Sequence, residues 1–208
     1  MSRRNFKARA TLHFEGERMT TVSVITSGWA YLYRTLPDGR RYVPEILMPG
    51  DAMMPSHQSG PNYNLGAEAA TSVQMCVFTE DGLLAHGDHD VSIARLRDLK
   101  YACSVERQTS LAVLSAEERL CHLLLTLFSR ARALGLGTAR MSPFPISQAV
   151  LADACGLAPG NINRILGRLR DHGVAMIVRG RLFVQNENEL TRRAVLPVCC
   201  LGGSAYPM

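Results

Sequence analysis

PISQAVLADACGLAPGNINRILGRLRDHGVAMIVRGRLFV, residues 145–184, decides how the chain is read. In its first part Leu151, Ala154 and Cys155 fall at i, i+3 and i+4, with Ser147 ahead of them as a good N-cap. Gly156 breaks this helix. A second helix starts at Pro159, a residue favoured at the first helical position, and carries one apolar stripe of Ile162, Ile165, Leu166 and Leu169. At about 100° per residue the opposite face presents Gly160, Arg164, Gly167 and Asp171, flanked by Asn161, Asn163 and Arg168. Gly173 ends the helix, and Val174 to Ile177 and Leu182 to Val184 form two apolar runs across Arg179-Gly180-Arg181. Two short helices, a tight turn and a basic hairpin outline a winged helix-turn-helix.

The polar face of the second helix suits a groove of double-stranded DNA. Its two glycines let the backbone approach closely, and Asn and Arg can make bidentate contacts to adenine and guanine edges. Gly160, Asn163 and Arg164 are therefore the expected base readers on a recognition helix over 159–172. Ser147, Gln148, Asn161 and Arg168, with Arg179 and Arg181 of the wing turn, are the expected phosphate contacts. Charge agrees with motif: residues 1–113 hold 12 Lys+Arg and 12 Asp+Glu, whereas 114–208 hold 11 and 6, so the net +5 lies wholly in the second half.

Composition is that of an ordinary globular chain, 47% hydrophobic and 20% charged over 208 residues, long enough for one or two domains with real cores. No apolar run reaches the roughly 18 residues needed to cross a bilayer, and MSRRNFKARA at the amino end lacks the apolar core of a signal peptide, so a cytoplasmic location without membrane contact is expected. The six cysteines, Cys76, Cys103, Cys121, Cys155, Cys199 and Cys200, show no C-x-x-C pair; reduced thiols are expected, most of them small core residues.

Ahead of the motif, turn residues at Gly16, Gly28, Gly39 and Gly50 recur every 11 or 12 residues between short alternating segments, the rhythm of an all-β sandwich or barrel. Strands are expected at Thr21 to Thr26, Trp29 to Thr35, Arg41 to Ile46 and Ala67 to Phe78, with a hairpin turn at Pro37-Asp38-Gly39. Such a jelly-roll-like domain often encloses a ligand. From Glu80 to Leu114 the pattern turns helical, with Ile93, Leu96, Leu99 and Cys103 at spacings of 3 and 4. That seam either pairs with a second copy of the chain or lies on its own β-domain. Ser115 and Glu118 form a capping box that opens a further helix through about Ala133, with Leu120, Leu123, Leu124 and Leu127 inward. Gly135 to Pro145 reads as a loop, and beyond Leu190 no period is evident.

The order of β-roll, long helix and winged helix-turn-helix resembles the Crp/Fnr superfamily of bacterial transcription regulators. The residues that carry the resemblance are SGWAYLYRTLPDGRRYVPEILMPGD at 27–51, LSAEERLCHLLLTL at 114–127 and ISQAVLADACGLAPGNINRILGRLRDHGV at 146–174. The resemblance implies an α+β chain: a β-roll sensor domain over 1–89, a central dimerisation helix over 90–114, a winged helix-turn-helix domain over 115–190 and a tail over 191–208. It also implies a homodimer joined through Ile93, Leu96, Leu99 and Cys103, a palindromic operator, and contact with RNA polymerase.

The chain departs from the pattern of the family it resembles in three places. Familiar members carry an Arg-Glu or Glu-Ser pair near the start of the recognition helix, where this chain has Pro159 and Gly160, so base reading falls more heavily on Asn163 and Arg164. Members that bind cyclic AMP carry Gly-Glu-Leu followed by an Arg-Ser pair; here the stretch is MMPSHQSGPNYNLGAEAA, residues 53–70. Without an arginine and an amide nest for the phosphate, no cyclic AMP dependence is expected. The cysteine cluster of the iron-sulfur members is missing too, and no cofactor or metal is expected. Any effector is unknown, with His57, Tyr63 and Asn64 as candidate pocket residues. The histidines His57, His86 and His89 lack a full ligand set, which argues against a metalloenzyme. The remaining alternative is a small-molecule, redox or haem sensor whose helix-turn-helix no longer reads DNA.

Overall fold

The computed structural model describes residues 1–54, 64–79 and 89–196. They belong to two compact units, Met1–Arg97 and Asp98–Met208.

The first unit has eight described strands: β1 (Ser2–Phe6), β2 (Thr11–His13), β3 (Thr21–Ser27), β4 (Ala30–Thr35), β5 (Arg41–Leu47), β6 (Ala52–Met53), β7 (Gly66–Ala69) and β8 (Val73–Thr79). They form two four-stranded sheets, ordered β1-β8-β3-β6 and β2-β7-β4-β5. Period-2 alternation decides which faces meet. In β8, Val73, Met75 and Val77 are buried while Gln74 is exposed. Ile25, Ala30, Leu32, Leu47, Ala67, Ala69 and Met75 join in one apolar core. The hairpin at Pro37-Asp38-Gly39 forms as expected: Gly39 N–H donates to the Leu36 carbonyl at 2.9 Å, and the Asp38 carboxylate accepts from Arg40 N–H at 3.0 Å.

The segment expected as one strand over 67–78 is instead two, β7 and β8. Trp29 holds the break. Its carbonyl accepts from Ala70 N–H at 2.8 Å, and its N–H donates to Thr71 Oγ1 at 2.9 Å. Residues 42 positions away impose this bend, so local periodicity could not show it. Gly28 sits beside it at φ +87°, and a Cβ there would lie 2.0 Å from the Ser72 carbonyl oxygen. Left-handed strain and a backbone clash together should make Gly28→Ala cost about 3 kcal/mol or more. Urea unfolding measures this, and a loss below about 1 kcal/mol would mean that the 70–72 bend relaxes freely.

The division between the units falls within helix α1 (His89–Val113), which is followed by α2 (Ala116–Ala133), β9 (Met141–Pro143), α3 (Gln148–Cys155), α4 (Pro159–Asp171), β10 (Ala175–Val178), β11 (Arg181–Val184) and α5 (Glu187–Ala194). The capping box opens α2: Ser115 N–H donates to Glu118 Oε2 at 2.7 Å and Glu118 N–H to Ser115 Oγ at 3.4 Å. Leu120, Leu123, Leu124 and Leu127 are buried as expected.

Two elements were not legible. Met141–Pro143, inside the expected loop, pairs with β11 and extends the wing to a three-stranded sheet of order β10-β11-β9. Helix α5 runs four residues past Leu190 into the apparent tail. Its signals were an Asn186 N-cap accepting from Glu189 N–H at 3.0 Å, acidic residues in the first turn, basic residues in the last, and only Leu190 and Ala194 buried, one turn apart.

Candidate nucleic-acid interface

α3 starts at Ser147, whose hydroxyl accepts from Val150 N–H at 3.3 Å, and ends at Gly156 in the left-handed region. Leu157 and Ala158 turn the chain into α4, where Pro159 occupies the first turn. Its missing N–H falls where a helix leaves donors unpaired anyway, so α4 forms without distortion. Ile162, Ile165 and Leu169 are fully buried and Leu166 half-buried, which fixes the rotation of the helix. Leu166 is the one member of the expected stripe that is not fully covered. The recognition helix ends at Asp171, one residue before the expected end, with His172 as C-cap.

Gly160, Asn163 and Arg164 are all exposed on the opposite face, and nothing lies within 4 Å of where a Cβ on Gly160 or Gly167 would stand. A flat backbone face beside a long cation results. Arg164 Nη2 donates to Asn161 Oδ1 at 2.6 Å, one helical turn back. This bond aligns the guanidinium over the helix and, among the described residues, leaves its other donors unengaged. Asn161, assigned to phosphate from the sequence, here orients Arg164. Ser147 and Gln148 are exposed at the start of α3, the Ser147 hydroxyl already engaged as the cap.

The wing turn is a two-residue connection with both central residues at positive φ, Arg179 at 49° and Gly180 at 71°. That geometry matches the twist of the flanking strands. Phe144 N–H donates to the Gly180 carbonyl at 2.7 Å and ties the turn to the chain ahead of α3. Arg179 and Arg181 are exposed, and no ion pair involves them among the described residues.

Most of the acidic groups of this unit are used internally. Glu117 pairs with Arg168 at 2.8 Å and with Arg193 at 2.8 Å; Glu187 pairs with Arg132 at 2.9 Å; Glu189 pairs with Arg192 and Arg193, each at 2.7 Å. Among the described residues Arg164 on α4 and Arg179 and Arg181 on the wing have no acidic partner, whereas Arg170 pairs with its neighbour Asp171 at 2.9 Å. Arg168 is the exception among the expected DNA contacts, since its guanidinium is turned toward Glu117 on α2. An exposed pair of this kind is worth about 0–1 kcal/mol, so a phosphate could displace Glu117.

Other expected residues separate from this surface. Leu99 and Cys103 are half-buried within the chain, while the side chains of Ile93 and Leu96 lie outside the described ones. His57 and Tyr63 also lie outside the described residues; Asn64 accepts from Arg34 Nη1 through its carbonyl at 3.0 Å. No cluster of metal-ligating groups occurs among the described residues, and no helix among them is long and apolar enough to cross a membrane.

Comparison with known proteins agrees with this geometry in both halves of the chain. Residues 118–193 match the Crp-like helix-turn-helix domain, and residues 3–89 match the cyclic nucleotide-binding domain. The chain belongs to the Crp/Fnr family of transcription regulators. It is 28% identical over 182 residues to the nitrogen fixation regulation protein FixK of Bradyrhizobium diazoefficiens, covering 85% of this chain and 75% of that protein. It is 26% identical over 180 residues to the transcriptional activator protein FnrL of Cereibacter sphaeroides, covering 82% and 71%. In fold it is similar to FixK2 from Bradyrhizobium japonicum, with a TM-score of 0.79 and 21% identity over 94% of this chain and 98% of that one. Proteins of this family regulate transcription through a DNA-binding domain and are not enzymes.

Two cysteines of this Crp/Fnr regulator, Cys121 and Cys155, are enclosed by the fold. Cys121 and Cys155 are free and buried, and Cys76 is free and half-buried; Cys103, expected reduced, is disulfide-bonded. Burial pushes the Cys155 thiol up to about 11, against the opposing pull of the Arg107 and Arg119 charges, and pushes Cys121 up to about 12. A protonated, enclosed thiol is a poor nucleophile. Native protein at pH 7.5 (about neutral, well below both values) should therefore resist labelling by iodoacetamide at Cys121 and Cys155 until it unfolds. Mass spectrometry of the labelled peptides reads this, and rapid native labelling of Cys155 would show the thiol to be reactive and accessible.

Proposed function

We propose that this chain is a homodimeric, sequence-specific regulator that binds a palindromic operator through two copies of α4, without dependence on cyclic AMP. The observation that carries the reading is the α4 face itself: Arg164, steered by Asn161, beside Asn163 and the open Gly160 and Gly167. Arg164 and Asn163 read bases at a backbone that Gly160 brings close. Arg179 and Arg181 grip phosphate beside the groove, with Ser147 and Gln148 at the start of α3 and Arg168 once it leaves Glu117. RNA polymerase is the further partner, in keeping with the word activator in the FnrL name, and the setting is the cytoplasm. The proposed domains are a β-roll sensor over 1–89, the dimer helix over 90–114 and the DNA-binding domain over 115–190, with α5 completing it.

For the dimer, the free face of α1 is more informative than the seam expected from sequence. Tyr101 and Val105 are 73% and 42% exposed, and Asp98, Gln108 and Ala112 are exposed with them. Their spacing of 3, 4, 3 and 4 is the a/d pattern of paired helices. Leu99, Ala102, Cys103, Glu106 and Ser110 lie on the other side, covered by the chain's own residues. We assign pairing with a second copy to the Tyr101 and Val105 face.

Cyclic AMP independence rests on the 53–70 stretch, which lacks the residues that would hold the phosphate. Titration calorimetry should give no heat with cyclic AMP up to millimolar levels, and operator affinity should not change when it is added. Tight binding would overturn this part and direct mutation to His57, Tyr63 and Asn64. Electrophoretic shift assays on operator and random DNA test the DNA reading. Arg179→Ala and Arg181→Ala should weaken both DNAs alike and lower the salt slope by about one unit each. An effect confined to the operator would place the wing on bases instead.

A further inference from the structure

Two arginines from different helices meet the same end of α3, the first helix of the helix-turn-helix. Arg107 of α1 donates from Nη2 to the Ala154 carbonyl, and Arg119 of α2 donates from Nη1 to the Cys155 carbonyl at 3.1 Å. Carbonyls in the last turn have no donor within the helix and carry the negative end of its dipole, so cations are favoured there. Both Nε groups are buried without a hydrogen-bond partner, so each guanidinium gives up solvation to reach its carbonyl.

The two residues differ in origin. Arg119 belongs to α2, which packs with α3 inside the DNA-binding domain. Arg107 belongs to α1, whose opposite face carries Tyr101 and Val105. Around Arg107 the last turns of α1 are held to the domain on several sides: Glu106 Oε1 lies 3.0 Å from His122 Nε2, Ser110 is buried, and Leu111 approaches the Gly156 turn. Of these α1 residues, Arg107 is the one that hydrogen-bonds the helix whose end leads directly into α4.

We propose that Arg107 is a positioning residue that determines operator specificity, by fixing the helix-turn-helix to the dimer helix and so setting the separation of half-sites that the dimer accepts. This rests on the dimer reading above. Two recognition helices must enter successive major grooves about 34–36 Å apart. Moving one half-site by a single base pair shifts it about 3.4 Å along the axis and rotates it about the duplex. A rigid attachment rejects that change, whereas a loose one follows it.

The experiment compares wild type with Arg107→Gln, Arg107→Lys and Arg119→Gln on palindromes whose half-sites are moved by one or two base pairs either way, and on a single half-site. Sedimentation of the wild type comes first: a monomer would overturn the dimer reading and this proposal together. With a dimeric wild type, Arg107→Gln should remain dimeric and bind the single half-site like wild type. Its preference for the best spacing over its neighbours should fall at least fivefold. Arg107→Lys, which keeps the charge but not the reach, should give an intermediate fall, and it decides the matter if the glutamine variant does not fold. Arg119→Gln, which uncaps the same helix end from within the domain, should keep the wild-type spacing preference. Unchanged spacing preference in the Arg107 variants would overturn the proposal while leaving the dimer intact. So would an equal loss in Arg119→Gln, which would reduce Arg107 to a helix cap.

Discussion

Arg164→Ala should lower affinity for the best operator by about 1–3 kcal/mol per half-site, roughly 5- to 150-fold, and leave affinity for random DNA nearly unchanged. The burial of Ile162, Ile165 and Leu169 fixes how α4 is turned, and Arg164 then projects from its free face. With Nη2 held by Asn161, the remaining donors form a ready fork for the O6 and N7 acceptors of guanine. Because a dimer uses the residue twice, the total loss on a palindrome is about the square of the half-site loss. Shift assays on operator and random DNA at one salt concentration give both numbers. Equal losses on the two DNAs would show that Arg164 touches phosphate, and the assignment of α4 to base reading would fall.

The second large effect is expected from breaking the α1 face. Tyr101→Glu with Val105→Glu places four carboxylates in the proposed seam of a dimer, where burial and like charge both oppose association. The free chain should keep its fold, because both side chains are exposed within it. Sedimentation should show a monomer at micromolar concentration. Operator affinity should fall by about 10²–10⁴-fold, the advantage lost when two linked sites become one. A comparable double substitution on the inner side, such as Leu99→Glu with Ala102→Glu, should instead lower the melting temperature. If the inner variant dissociates the dimer and the outer one does not, the seam first expected from Leu99 and Cys103 is the true interface.

The helix-turn-helix was legible because its signals are local. Ser147 caps, Gly156 breaks, Pro159 starts, and the Ile162 stripe shows which side is inward; each step depends on residues within one or two turns. Strand β9 was hidden because Met141, Ser142 and Pro143 pair with Phe183, Leu182 and Arg181, some 40 residues away. Helix α5 was hidden because only Leu190 and Ala194 anchor it, too few for a visible period. The apolar period of α1 does not by itself say which face pairs with a second copy. Leu99 and Cys103 are its more apolar positions, and the chain covers them itself, while Tyr101 and Val105 alternate with polar residues on the free side. Apolar periodicity reports which face is buried, not by whom. The pairing of Arg168 with Glu117 could not be read from one helix face, since it joins groups 51 residues apart, whereas that of Arg164 with Asn161, one turn apart, was open to the sequence.

The central claim is that two copies of α4 read two inverted half-sites. Sequencing of DNA retained by the wild-type protein from a random duplex library, at physiological salt, tests it most directly. The account predicts one enriched motif, an inverted repeat with half-site centres about 10–10.5 base pairs apart, or a multiple of this, that disappears from the Arg164→Ala selection. Retained DNA without a shared motif, or a single unrepeated half-site selected by a protein that sediments as a dimer, would contradict it.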